Sequence, residues 1–350
     1  MTRTRVNYSE KKVNVGIDVH KKTYSVCCEC EGQVVKKVTV PAIPGKLAQF
    51  LKEHFKGAEI RSCYEAGFSG LGLHRSLVSS GIKNIVVNAA SIEVAAKDKV
   101  KTDKRDCKKM AIQLAANRLE GIYVPTIEQE QERLLTRTRE QLVAERTRFG
   151  HRFKSRLYQF GLISHDDETE LDEAFIDDNL KQELPYRLRE CLESLARVWK
   201  FVQGEIKQVN QKMKEQAKGD KNEEIYRSVP GIGPVCSRIL SNELGDMSQY
   251  RNERNIFSHT GLTPSEYSTG GVDRKGHITY QGSSRLRWIL TEAAWRAIVE
   301  DPKLAADFSR ISQKRGKKRA IVAIARKLIG RMRACFRKNQ TYQLGYGMAA

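Results

Sequence analysis

Four carboxylates, Asp18, Glu65, Asp103 and Asp106, are placed in the chain where they could serve one ion-binding site. Asp18 closes the apolar run Val13-Asn14-Val15-Gly16-Ile17, and Glu65 closes Ile60-Arg61-Ser62-Cys63-Tyr64. Asp103 and Asp106 stand three apart at the start of a helical pattern, so both face the same way. Acids gathered at one point repel each other, and burial sharpens the repulsion. A divalent cation removes that penalty. Carboxylates are hard ligands suited to Mg²⁺. Two such ions about 3.5–4 Å apart activate an attacking oxygen and steady a leaving one in phosphodiester chemistry. The plainer reading of Asp103 and Asp106 is a pair of first-turn acids meeting a helix dipole. Glu93 and Asp98 are nearby acids that could join a ligand set.

The elements that must position these acids are an α/β unit over residues 12–121. Three β-like runs open it, Val13–Val19, Thr23–Glu29 and Gln33–Val40, with Glu31-Gly32 as a hairpin turn. A helix over Gly45–Phe55, a strand Ile60–Glu65, a helix near Leu71–Ser80, a strand Ile82–Asn88 and a helix Asp103–Leu119 follow. The order β-β-β-α-β-α-β-α is that of the ribonuclease H fold. Its first and fourth strands are neighbours, which brings Asp18 and Glu65 together.

Residues 126–222 read as an α-helical coiled-coil linker of two long helices. Leu188, Leu192, Leu195, Trp199, Val202, Ile206, Val209 and Met213 step alternately by four and three, an a/d seam. The earlier helix carries Leu135, Leu142, Phe149, Phe153, Leu157 and Phe160 at compatible spacing, and the acidic stretch 164–180 separates the two. The period fits a helical hairpin and a dimerising coiled coil equally well. Residues 223–338 form a mainly α-helical C-terminal domain with a loop or ribbon at 261–284, and 339–350 read as a frayed tail.

Charge narrows the partner. Sixty-two Lys and Arg against 42 Asp and Glu leave a net +20, which attracts a polyanion, nucleic acid first. No apolar run approaches the roughly 18–20 residues of a membrane span, and the opening residues lack a signal-peptide core, so a cytoplasmic, membrane-free protein is expected. The eight cysteines are scattered as in a reduced chain. Cys27 and Cys30 have two-residue spacing but no second pair to complete a zinc site.

Three further segments carry candidate chemistry. Val229-Pro230-Gly231-Ile232-Gly233-Pro234 before a helix is the hairpin of a helix-hairpin-helix element, whose glycines Gly231 and Gly233 admit a phosphate to the backbone. Around the loop Tyr267-Ser268-Thr269-Gly270-Gly271, a serine on flexible backbone could approach a phosphodiester. Arg274, Lys275, Arg285 and Arg287 could neutralise its oxygens. Tyr267 and Tyr280 are rival hydroxyl nucleophiles. From Lys314 to Lys338, eleven of 25 residues are basic, among them Lys317, Lys318 and Arg319. They surround an apolar helical face of Ile321, Val322, Ile324, Leu328, Ile329 and Met332 and suit a grip on a nucleic-acid backbone.

In combination these segments resemble the DEDD transposases of bacterial insertion sequences, relatives of the Piv/MooV DNA invertases. The resemblance covers roughly residues 12–300. It rests on Gly16-Ile17-Asp18-Val19-His20-Lys21, Tyr64-Glu65-Ala66, Lys101-Thr102-Asp103-Lys104-Arg105-Asp106, Pro230-Gly231-Ile232-Gly233-Pro234, and Gly261-Leu262-Thr263-Pro264 through Ser268-Thr269-Gly270-Gly271. It implies a RuvC-like domain, a coiled-coil linker and a C-terminal domain carrying a catalytic serine. By the same resemblance, Asp18, Glu65, Asp103 and Asp106 bind Mg²⁺, and Ser268 attacks the DNA backbone and holds a covalent intermediate. A structured non-coding bridge RNA pairs with donor and target DNA, and dimers pair into a tetramer. Two positions depart from the family's pattern. Ser268-Thr269-Gly270 stands where Ser-Ser-Gly or Ser-Gly is expected, and Gly282-Ser283-Ser284-Arg285 where Gly-Asn or Gly-Asp is commoner.

The reading is thus an RNA-guided, Mg²⁺-dependent recombinase that moves an insertion sequence. Its rivals are a protein-only invertase or junction endonuclease that uses water as the attacker, and a non-catalytic nucleic-acid-binding protein.

Overall fold

The computed structural model describes residues 7–93, 103–164, 166, 168–267 and 275–345, with the backbone alone at 103, 104 and 275. The chain forms two compact units, Met1–Val124 and Pro125–Ala350.

In the first unit, strands β1 (Lys12–Val19), β2 (Thr23–Cys30) and β3 (Gln33–Pro41) form an antiparallel meander. Glu31 and Gly32 turn between β2 and β3 with φ +52° and +83°, the doubly left-handed geometry of a tight hairpin. Helix α1 (Pro44–His54), β4 (Glu59–Glu65), α2 (Gly72–Ser79), β5 (Lys83–Val87) and α3 (Asp103–Ala115) complete the unit. The sheet order is β3-β2-β1-β4-β5, with β4 parallel to both β1 and β5. The first and fourth strands are neighbours, as expected. Helix α3 stops at Ala115, short of the expected Leu119, because the chain turns at Asn117 with φ +53°.

The pleat sorts the side chains of β1. Val13, Val15 and Ile17 point to one face and join Leu47, Leu51 and Leu77 from α1 and α2 in the larger core of the unit. Gly16 and Asp18 point to the other face, which α3 covers with Cys107, Met110 and Ala111.

Among its described residues the second unit is helical apart from one ribbon. Helix α4 (Ile127–Gln159) starts with a reciprocal cap: Thr126 Oγ1 accepts from Gln129 N at 3.2 Å, and Gln129 Oε1 accepts from Thr126 N at 3.1 Å. After α5 (Glu173–Lys181), helix α6 (Tyr186–Gln216) runs back along α4. Arg139 bonds Asn210 at 2.7 Å and Arg146 bonds Gln203 at 2.9 Å, so the two helices are antiparallel within one chain. The buried stripe of α6 is Leu188, Leu192, Ala196, Trp199, Val202, Ile206, Val209 and Met213; Ala196 takes the place expected of Leu195, which is only partly buried. Phe160, expected on the α4 seam, is half exposed just past the end of that helix. The acidic stretch is not a bare separator. Asp172 caps α5 by accepting from Phe175 N at 2.8 Å, and Phe175, Ile176 and Leu180 pack with Trp199 and Leu192.

The remaining elements are α7 (Lys221–Arg227), α8 (Pro234–Leu244), α9 (Glu253–His259), ribbon strands β6 (Pro264–Glu266) and β7 (Lys275–Ile278), α10 (Ser284–Glu300), α11 (Pro302–Arg315) and α12 (Lys317–Lys338). They share one core, from Tyr226 and Leu240 through Leu290 and Ala294 to Leu328 and Met332. The segment expected to fray is tied down as far as residue 345. Tyr342 is buried, its N–H donates to Ser228 Oγ at 2.8 Å, and its hydroxyl donates to Asp301 Oδ2 at 2.7 Å. No helix among the described residues is long and apolar enough to cross a membrane. All eight cysteines are free thiols, and Cys27, Cys28 and Cys30 lie buried in β2.

Candidate active site

Asp18 reaches the site because it shares a sheet face with Gly16. Glu65 reaches it because it shares a face with Cys63, which packs against Met110 and Leu114 of α3. The β1–β4 register pairs Gly16 with Cys63 and Ile17 with Tyr64, so Asp18 and Glu65 follow one step beyond. Helix α3 then lies across this face, close enough that its backbone touches Gly16, and carries Asp106 to the same place.

The result is a cleft of about 390 Å³ whose walls include Asp18, His20, Glu65, Phe68, Asp106 and Lys109. The Asp18 and Asp106 side chains are about one quarter exposed, enough to meet a ligand and too little to be fully solvated. His20 Nε2 lies 3.3 Å from Asp18 Oδ2, and Lys109 Nζ lies 3.9 Å from Asp106 Oδ1. An imidazole and an ammonium of the chain therefore stand against two of the acids. Asp103 opens α3, but its side chain lies outside the described residues, as does Asp98. Glu93 is occupied elsewhere, with Oε2 at 3.3 Å from Arg118.

The chemistry of this donor set fits a hard divalent cation: three carboxylates on one wall-lined cleft, backed by a rigid sheet. Among the described residues no group of three or more His, Cys, Asp or Glu is drawn close enough to hold an ion by itself. Asp18, Glu65 and Asp106 line the cleft without closing on a point.

In the second unit, Ser268 and Arg274 lie outside the described residues, and Lys275 is described in backbone only. Tyr267 and Tyr280, at the two ends of the ribbon, are 74% and 73% exposed. Arg285 turns inward: its NH1 donates to Glu243 Oε1 at 2.9 Å, and its Nε donates to Glu140. Glu243 also receives both arms of a bidentate Arg137 fork at 2.9 and 3.0 Å. Burial pushes the Glu243 carboxyl up, but the Arg137 hydrogen bonds and the charges of Arg137, Arg133 and Arg285 outweigh it and hold the group below its usual value. Arg287 donates to Gly261 O at 3.3 Å.

Gly231 has φ +79°, and a Cβ there would come 2.7 Å from Ala293 O, so the turn between α7 and α8 presses on α10 and admits only glycine. Gly233 caps α8 without a side-chain bond, ahead of Pro234 at its first turn.

The basic helix α12 divides. Lys317, Lys318 and Arg319 are exposed at its start. Lys327 bonds Asp307 at 2.7 Å, Arg331 bonds Asp301 at 2.8 Å, Arg333 bonds Tyr250 O at 2.9 Å, and Arg326 lies 4.6 Å over the Phe257 ring. These four hold the fold. Sequence reading missed their partners, because Asp301 and Asp307 give no local sign that they face α12.

A mixed five-stranded sheet in the order 3-2-1-4-5, with acids at the ends of its first and fourth strands and on a covering helix, is the arrangement of ribonuclease-H-like phosphodiester enzymes. Residues 15–161 match a family model described as a transposase, of the DEDD type. Residues 223–310 match one described as transposase, IS116/IS110/IS902 family. A putative transposase of Sinorhizobium fredii is 28% identical over 85% of this chain and 84% of its own. The transposase of insertion sequence element IS1533 from Leptospira borgpetersenii is 28% identical over 95% of this chain and 97% of its own. A probable family 20 transposase of Pseudomonas aeruginosa is 31% identical over 57% of this chain and 61% of its own. The chain belongs to the DEDD-type insertion-sequence transposases of the IS116/IS110/IS902 family, and it is a DNA transposase.

Proposed function

We propose that this transposase is a Mg²⁺-dependent recombinase guided by a bridge RNA, working through a covalent serine–DNA intermediate. The observation that carries the metal half of the reading is the convergence of Asp18, Glu65 and Asp106 on one cleft. Asp18, Glu65 and Asp106, with Asp103 on the same helix, would hold the ion. Bound Mg²⁺ supplies charge stabilisation at the scissile phosphate. Ser268 supplies the attacking oxygen: a new Oγ–P bond replaces one P–O bond of the DNA backbone, and the departing oxygen takes up the proton. Rejoining reverses these events on a second strand.

The glycine turn between α7 and α8 fits a helix-hairpin-helix contact to phosphates, and Lys317, Lys318 and Arg319 add an exposed basic grip. Sequence would be read by base pairing with the guide rather than by these contacts. The antiparallel α4–α6 pair would serve as the coiled coil of the linker, and a dimer or tetramer would form outside its seam.

The test is a cleavage reaction resolved on a denaturing gel. Wild-type protein should leave DNA carrying covalently bound protein, and Ser268→Ala should not. Cleavage at normal rate by Ser268→Ala, with free DNA ends as products, would establish water as the attacker and the junction-endonuclease chemistry instead.

A further inference from the structure

Tyr280 is held in the left-handed backbone region, with φ +57°. Bulky side chains avoid that region, so an aromatic there is an outlier that its surroundings must enforce. The enforcing contacts are visible on both sides. Thr279 N donates to Thr263 O at 3.0 Å, closing the ribbon, and Ser283 N donates to His259 O at 2.8 Å, fixing the start of α10. Between them Gly282, with φ +82°, is pressed onto the end of α9, where a Cβ would come 2.3 Å from Ser258 O.

Glycine is thus required at 282, and glycine at 280 would relieve the remaining strain. A tyrosine stands there instead, and packing does not explain it, since the residue is 73% exposed. What the ring does have is a cation. The Arg287 guanidinium lies 5.9 Å from its centroid and is pinned there by its bond to Gly261 O.

An open aromatic face beside a fixed guanidinium, in a chain of net charge +20, is the chemistry that receives an unpaired nucleobase. The base stacks on the ring while the cation meets its phosphate or edge. We propose that Tyr280, with Arg287 beside it, is a stacking platform for one unpaired base of a bound single strand. Tyr280 is then a positioning residue, and its hydroxyl is not the nucleophile. The inference needs a nucleic-acid ligand, as the family supplies, but it does not depend on Ser268 or on the metal.

The experiment uses the full-length protein with an oligothymidylate carrying one 2-aminopurine, and in parallel its oligouridylate counterpart, at one fixed salt concentration. Tyr280→Phe keeps the ring and removes the hydroxyl. Tyr280→Gly removes the ring and suits the backbone, and Tyr280→Asn, also tolerant of positive φ, repeats that loss with a side chain present. Wild type and Tyr280→Phe should quench 2-aminopurine equally and bind within about twofold of each other. Both ring-less variants should lose the quench and bind at least about fivefold more weakly in one arm, with circular dichroism unchanged. The arm that weakens tells DNA from RNA. Wild-type quench and affinity in both arms for Tyr280→Gly would overturn the proposal, as would a Tyr280→Phe defect equal to that of Tyr280→Gly.

Discussion

Gly16 of β1 and Cys107 of α3 are in backbone contact: a Cβ built on Gly16 would come 2.0 Å from the Cys107 carbonyl oxygen. This closeness sets the depth at which α3 rides on the sheet, and Asp106 is the neighbour of Cys107. Gly16→Ala should therefore force the helix outward. We expect a loss of about 1–3 kcal/mol in denaturant unfolding, the usual cost of overpacking, together with a fall in DNA cleavage larger than the stability loss explains. Unchanged unfolding and activity would show that α3 is not seated by this contact.

Asp18→Asn and Glu65→Gln remove charge from the cleft while keeping shape. Each should reduce DNA cleavage by roughly a hundredfold or more, on the scale of losing one electrostatic group in an active site, and leave DNA affinity near wild type. A second readout does not use turnover. Mg²⁺ should raise the melting temperature of wild type by linkage, and the rise should shrink in Asp18→Asn. An equal Mg²⁺ effect in both proteins would move the ion elsewhere.

Glu243 and Asp301 predict acid lability. Burial raises the Asp301 carboxyl, but bonds from Leu304 N, Tyr342 and Arg331 outweigh it, and the net shift is downward, as for Glu243. A folded-state value below the unfolded one gives stability that is complete above the unfolded value and lost as pH falls through the folded one. Thermal midpoints should thus hold steady from pH 7 to about 5 and fall below about pH 4.5, where free carboxylates begin to protonate. Glu243→Gln should cost on the order of 3 kcal/mol of stability at pH 7, as for a broken buried pair, which lowers the midpoint there and flattens the acid slope. A steeper slope in the variant would contradict the assignment.

Tyr342→Phe deletes one donor to Asp301 and leaves the ring. About 1 kcal/mol should be lost, read as faster amide exchange at the start of α11. Exchange changes confined to residues after 339 would mean that the tail and the helix are not joined.

The sheet was legible because it obeys short rules. Alternation placed Val13, Val15 and Ile17 on one face, and the order of strands and helices then made β1 and β4 neighbours, which puts Asp18 and Glu65 on one cleft. The a/d step found the buried stripe of α6 except at Leu195, where the neighbouring Ala196 is the buried residue, in one cluster with Phe153 and Leu157 of α4. The period could not say that the partner helix belongs to the same chain; Arg139–Asn210 and Arg146–Gln203 say so. Electrostatic partners across long separations left no trace in the sequence. Arg285 reads as a phosphate ligand until Glu140 and Glu243 are seen around it. Arg331 reads as part of a solvent-facing basic helix until Asp301 is found beneath it. Helix α5 was hidden by its own acidity, since eight acids in 13 residues mask the apolar face of Phe175 and Ile176.

Asp301 accepts from Leu304 N, Arg331, Tyr342 and Gly345 N, four donors drawn from three stretches of chain. With no surface of its own exposed, it works as a knot. Trimming the polypeptide between Arg331 and Tyr342 unties it from forty residues away, leaving a charged group indoors with half its company, and a cut between Tyr342 and Gly345 already removes one donor of the four. Affinity handles and fluorescent fusions on this enzyme therefore belong beyond that point, on a spacer long enough to leave the knot in place.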